Sequence, residues 1–110
     1  MAWRRSKYRA VPTVVDGIRF ASKAEAAKYG ELKLRELAGE IRNLVLQPRY
    51  EFVLNNWKVG TYVGDFEFEE KQADGWKLVT LDVKGMRTPV YKLKAKLFRA
   101  LVGREIVETK

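Results

Sequence analysis

With 110 residues, 46% of them hydrophobic and 33% charged, the chain has material for one compact domain and hardly for two. Twenty-two Lys and Arg against fourteen Asp and Glu leave a formal charge of +8 at pH 7, which favours a polyanionic partner. The absence of both Cys and His excludes disulfides, thiolate nucleophiles, zinc ligand sets and imidazole bases, and leaves carboxylate, lysine and hydroxyl chemistry.

Residues 1–12 read as a basic arm, in which Arg4, Arg5, Lys7 and Arg9 are interleaved with Trp3 and Tyr8; residues 13–110 form the single domain. The start MAWRRSKYRA lacks the apolar stretch of a signal peptide, and no apolar run approaches the roughly 18 residues of a membrane span. A cytoplasmic protein without a membrane partner is therefore expected. The dipeptide Asp16-Gly17, flanked by Val14-Val15 and Ile18-Arg19-Phe20, predicts a short hairpin.

From Ser22 to Gly39 the composition predicts a helix, capped by Ser22, left at Gly39 and packed through Ala26, Tyr29, Leu34 and Leu37. IRNLVLQPRYEFVL then reads as extended, with Pro48 at a bend or edge, and residues 55–60 as a turn. TYVGDFEFEE alternates, placing Tyr62, Gly64, Phe66 and Phe68 on one face and Val63, Asp65, Glu67 and Glu69 on the other. Ala73-Asp74-Gly75 is the next turn, and WKLVTLDVKG the next strand, with Thr80, Asp82 and Lys84 sharing a face.

Thr88-Pro89 opens a second helix running to Gly103, expected to bury Val90, Leu93, Leu97 and Leu101 beneath a basic stripe of Lys92, Lys96 and Arg99. REIVETK closes the chain as a short strand. The expected order is helix, three strands in an antiparallel meander, helix, strand: an α/β fold with a mixed central sheet flanked by helices.

If Lys71 pairs with Trp76 across the turn, Asp65 stands opposite Asp82. Directly opposed Cβ atoms lie about 5 Å apart, and like charges there repel by about 3 kcal/mol at an effective dielectric near 20. A sheet that tolerates this pair implies a positive group between the acids, either Lys84 or a divalent metal such as Mg²⁺, which takes few carboxylates and keeps positions for water and phosphate. A solvated acidic strand face beside a lysine is the plainer reading of the same residues.

Glu25, Asp65 and Asp82-Val83-Lys84 together resemble the core of the PD-(D/E)XK nuclease superfamily, the restriction-endonuclease-like fold, whose αβββαβ order matches the one above. More closely, DGIRFASKAEAAKYGELK, LQPRYEF and LDVKGMRTPVYKLKAKLF resemble short phage-encoded proteins near the small Holliday junction resolvases, over roughly Val15 to the C-terminus. Two departures stand out: Gly64 precedes Asp65 where the superfamily's name has proline, and Asp82 replaces the commoner glutamate, shortening that ligand by a methylene.

The resemblance implies Mg²⁺, with Mn²⁺ as substitute, held by Asp65, Asp82 and the carbonyl of Val83. It implies Lys84 as the group that orients or deprotonates water or stabilises phosphate charge, and Glu25 as a further acid, directly or through water. Ser22-x-x-Glu25 also has the form of a capping box, which gives Glu25 a structural role. Gln47 supports the site or hydrogen-bonds a turn, and Tyr29 sits at core spacing.

The expected reaction is metal-dependent hydrolysis of a DNA phosphodiester leaving a 5′ phosphate. Arg4, Arg5, Lys7, Arg9, Arg87, Thr88, Lys92 and Lys96 are the candidates for DNA binding. A structure-selective Holliday junction resolvase acting on branched DNA comes first, as a homodimer because paired cuts need two sites, and in the host cytoplasm if phage-encoded. A duplex endonuclease without junction preference and a non-catalytic nucleic-acid-binding protein are the alternatives.

Overall fold

The computed structural model describes residues 11–84 and 86–109. The basic residues Arg4, Arg5, Lys7 and Arg9 lie outside them. Among the described residues the order is β1 (Thr13–Val15), β2 (Ile18–Phe20), α1 (Lys23–Leu37), β3 (Ile41–Leu46), β4 (Arg49–Leu54), β5 (Trp57–Val63), β6 (Phe66–Gln72), β7 (Gly75–Val83), α2 (Pro89–Val102) and β8 (Val107–Thr109). The fold is mixed α/β. A four-stranded sheet runs β3-β6-β7-β8, antiparallel except for the parallel β7–β8 edge, and β1–β2 and β4–β5 are separate hairpins.

The first hairpin turns on Asp16 and Gly17, both at positive φ, as the dipeptide predicts. Ser22 caps α1 by accepting the Glu25 N–H at 3.1 Å. The buried face of α1 is Ala26, Tyr29 and Leu32; the expected Leu34 and Leu37 are 69% and 86% exposed. These three residues join Phe20, Ile41, Phe66, Phe68, Val79 and Leu81 in the first apolar cluster, on one side of the sheet.

The expected uninterrupted meander is corrected in three places. Gln47-Pro48 ends β3 outright, because Gln47 takes positive φ and Pro48 has no N–H for a ladder. The turn expected over 55–60 is only Asn55-Asn56, both at positive φ as a two-residue hairpin turn requires, and strand resumes at Trp57. The run 61–70 breaks at Gly64-Asp65, so Tyr62 does not share a face with Phe66 and Phe68: it packs with Phe52, Tyr91 and Phe98 in a second cluster. A hairpin is thus inserted between the first and second strands of the meander.

Helix α2 starts at the Thr88 cap and stops at Gly103 in the left-handed region, as its sequence indicates, but buries another face. Tyr91 and Phe98, backed by Ala95, Leu97 and Val102, pack inward, while Val90, Leu93 and Leu101 are 63%, 59% and 39% exposed. Both stripes have helical spacing, and the one carrying two aromatic rings buries more apolar area. Tyr50 and Tyr62 meet the Phe98 ring edge-on at 4.9 and 5.6 Å, which clamps the inserted hairpin to α2.

Candidate active site

The β6–β7 register is the one the turn implies: Lys71 pairs with Trp76 and Phe66 with Leu81, so the next position sets Asp65 against Asp82. Asp65 lies in the break before β6, one residue outside the strand expected to carry it. Three backbone bonds fix that break: Gly64 N–H donates to the Pro48 carbonyl at 2.9 Å, Gln47 N–H to the Asp65 carbonyl at 3.0 Å, and Asp65 N–H to the Leu81 carbonyl at 3.1 Å. A Cβ on Gly64 would stand 3.1 Å from Tyr62 Oη and 3.3 Å from both Pro48 Cγ and Thr80 Cγ2. This packing accounts for a glycine at position 64.

Asp82 is 3% exposed, which corrects the reading of a solvated acidic face. Its Oδ2 accepts the Tyr62 hydroxyl at 2.6 Å and its Oδ1 lies 3.2 Å from the Lys84 ammonium. Lys84 in turn rests 4.0 Å over the Tyr91 ring, whose hydroxyl donates to Glu108 at 2.9 Å. Asp65 Oδ2 accepts the Val83 N–H at 2.7 Å. Tyr62 and Tyr91 have their phenol pKa values raised, first by burial and then by hydrogen bonds to Asp82 and Glu108.

The Asp65 carboxyl approaches that of Asp82 closely enough for a hydrogen bond between them when one holds a proton. Burial, that hydrogen bond and the Asp82 charge push its pKa up to about 8, against the lowering effect of the Val83 N–H; the Glu25 charge adds a smaller upward push. A buried Asp82 carboxyl beside a part-buried Asp65 carboxyl is a donor set that a hard divalent cation fits, since Mg²⁺ binds through one or two carboxylates and keeps waters for the rest. Among the described residues no three acidic side chains come together as a complete cage.

Glu25, Gln47 and Asp65 line one recess of about 170 Å³ together with Arg19, Phe20 and Leu46. Only half of the capping box forms among the described residues: Ser22 accepts the Glu25 N–H, and no bond returns from the Glu25 carboxylate to the Ser22 N–H. Asp82, Lys84 and Thr88 line a second recess of about 420 Å³, with Arg49, Thr61 and Lys94 on its sides. Thr88 spends its hydroxyl on the Tyr91 N–H at 3.1 Å.

The other candidates for DNA contact stand apart from this pair. Arg87, Lys92 and Lys96 line a separate cleft with Arg99, Glu105 and Glu108, where Arg87 is 3.3 Å from Glu108. Tyr29 is a core residue, 5% exposed, donating to Asp16 at 3.1 Å.

Sequence reasoning missed Tyr62, Tyr91 and a part-buried network on the same sheet face as Asp82. In that network Glu67 accepts from Tyr50 and, at 2.7 Å, from Thr80, while Arg104 donates to Thr80 at 3.1 Å and to Tyr50 at 3.0 Å. These partners lie 13 to 54 residues apart along the chain, and no local pattern signals them.

Residues 5–106 match the model of a family described as a protein of unknown function, DUF1064, and the chain belongs to that family. No curated protein and no solved structure matches the chain. Among the described residues no helix is long and apolar enough to cross a membrane.

Proposed function

We propose that this DUF1064 protein is a metal-dependent DNA endonuclease with a restriction-endonuclease-like core of the PD-(D/E)XK kind, selective for branched DNA as Holliday junction resolvases are. The observation that carries the reading is the register that opposes the part-buried Asp65 to the buried Asp82, with the Lys84 ammonium 3.2 Å from Asp82. Such a pair is costly to hold in a sheet without a cation, and strongly perturbed carboxyls beside a cleft mark functional sites.

Asp65 and Asp82 would hold Mg²⁺ or, in its place, Mn²⁺, with the Val83 carbonyl as a further ligand and Glu25 acting from the neighbouring recess. The ion would supply positive charge against the phosphate and lower the pKa of water. Hydrolysis forms a bond from water oxygen to phosphorus and breaks the bond to the 3′ oxygen, leaving a 5′ phosphate and a 3′ hydroxyl.

The chain's own residues prepare this reaction. Tyr62 fixes Asp82 Oδ2 by a 2.6 Å bond, which holds the carboxylate in one orientation in which it would bind a cation. The Val83 N–H does the same for Asp65. The Tyr91 ring and Asp82 hold Lys84 between them, where its ammonium neutralises charge growing on the phosphate or orients the attacking water. The net charge of +8 offsets the acidity of the pocket toward DNA. Paired incisions across a junction require two sites, so the reading carries a homodimer.

The test incubates purified protein with a labelled four-way junction and matching duplex, in Mg²⁺, Mn²⁺ or EDTA, and compares D82N and K84A. Junction cleavage in either metal, abolished by EDTA and by D82N, is expected. Binding without cleavage in every metal, or undiminished cutting by both variants, would reject the site. Equal cutting of duplex and junction would retain the nuclease and remove the branch selectivity.

A further inference from the structure

Each carboxyl of the pair lines a recess of its own, and the two recesses differ in charge. The smaller contains Glu25 and Asp65 with one cation, Arg19. The larger sets three cations, Arg49, Lys84 and Lys94, around the single acid Asp82. Those cations come from three elements: Arg49 opens β4 on the inserted hairpin, Lys84 follows β7, and Lys94 is on α2.

Their other engagements are unequal. Lys84 is held by Asp82 and the Tyr91 ring. Arg49 reaches Glu51 only at 3.9 Å, while Glu51 also faces Lys58 at 3.3 Å, and the Arg49 side chain is 60% exposed. Lys94 forms no ion pair among the described residues. In the neighbouring basic cleft, by contrast, Glu108 and Glu105 already face Arg87 and Arg99 at 3.3 and 3.6 Å, and neither Asp82 nor Lys84 lines it.

From this difference we infer that the larger recess, between the inserted hairpin and α2, seats the DNA strand, with Arg49 and Lys94 gripping the phosphates on either side of the one that Lys84 meets. The inference rests on the endonuclease reading and deepens it. It assigns substrate contact to a side chain on the inserted hairpin, and it separates the phosphate side of the site from the Glu25–Asp65 side. Arg49 can grip bidentately and Lys94 as a point charge, so neither contact reads base sequence. Thr61 and Thr88 hydroxyls line the same walls.

The experiment measures binding of a fluorescent DNA duplex and a four-way junction in EDTA across a salt series, for the wild type, the double variant R49Q/K94Q and the double variant K92Q/K96Q. All four side chains are on the outer surface or a cleft wall, and thermal melts of both variants alongside the wild type confirm the fold. R49Q/K94Q is expected to bind at least about tenfold more weakly, with the slope of log K against log salt shallower by about 2, one phosphate contact for each cation removed. K92Q/K96Q is expected to lose less than half of that slope.

Wild-type slope and affinity in R49Q/K94Q, or the full loss in K92Q/K96Q instead, would overturn the assignment. A wild type that cuts no DNA in Mg²⁺ or Mn²⁺, while R49Q/K94Q still loses the slope, would reject the endonuclease and leave the strand seat standing. A wild type that binds no DNA would reject both.

Discussion

The raised pKa of Asp65 beside Asp82 predicts an unusual dependence of stability on pH. The carboxyl of Asp65 has an ordinary pKa of 3.8 and is pushed up to about 8 in the folded chain. A raised acid contributes stability that is complete below its unfolded pKa and lost as pH rises through its folded pKa, because the native state holds the extra proton in between. The chain has no histidine, so no imidazole titration overlays this window. Glu69 is held low by hydrogen bonds from Arg42 and Asn43 and titrates below it.

Each retained proton gives a slope of about 1.4 kcal/mol per pH unit, so the ceiling between pH 5.5 and 7.5 is about 2.7 kcal/mol. Partial solvent contact of the Asp65 carboxyl reduces this to about 1 kcal/mol, or a fall in Tm of about 5 °C. Thermal melts in EDTA across that range measure it. D82N keeps the shape and an acceptor for Tyr62 but removes the charge and the carboxyl that raise the pKa of Asp65. Burial still raises Asp65, so the variant should keep the slope near pH 5.5 and lose it toward pH 7.5. Above pH 8, where the wild-type pair must carry two charges, D82N should be no less stable than wild type. Identical slopes in D82N and wild type across the window would refute the contact between the two carboxyls.

Two further substitutions test the scaffold around the pair. G64A presses a Cβ against Tyr62 Oη, Pro48 Cγ and Thr80 Cγ2 at 3.1–3.3 Å and should cost about 1–2 kcal/mol by urea denaturation; an unchanged midpoint would mean that the break is loosely packed. R104M leaves Glu67, whose side chain is 17% exposed, without its cation and removes donors to Thr80 and Tyr50, so a loss of about 2–3 kcal/mol is expected, and a loss below about 0.5 kcal/mol would show the network to be incidental.

What the sequence revealed and what it concealed have distinct physical causes. The register that opposes Asp65 to Asp82 was legible because a tight turn and strict alternation fix it locally, as does the Thr88-Pro89 start of α2. The break at Gly64-Asp65 was not, since buried and exposed residues continue to alternate across it while the partner layer changes; backbone bonds to Pro48, from Gln47 and to Leu81 define it. The Asn55-Asn56 turn was blurred into a longer loop because Trp57 and Val59, exposed on the hairpin, gave no core-facing alternation. The buried stripe of α2 was decided by Phe98 meeting Tyr50 and Tyr62, a contact between elements that no helical period reveals. For the same reason no local pattern marks Tyr62 as the residue that holds Asp82 in place, since its hydroxyl reaches from the inserted hairpin to β7.

The most direct test is a calorimetric titration of Mn²⁺ into the wild-type protein, D65N, D82N and, as an acidic control on the same sheet, E69Q. Saturable binding by the wild type that tightens as pH rises toward 8, is lost in D65N and D82N and survives in E69Q is the predicted result. Undiminished Mn²⁺ binding by both D65N and D82N, or none by the wild type at any pH, would contradict a cation held between these two carboxylates.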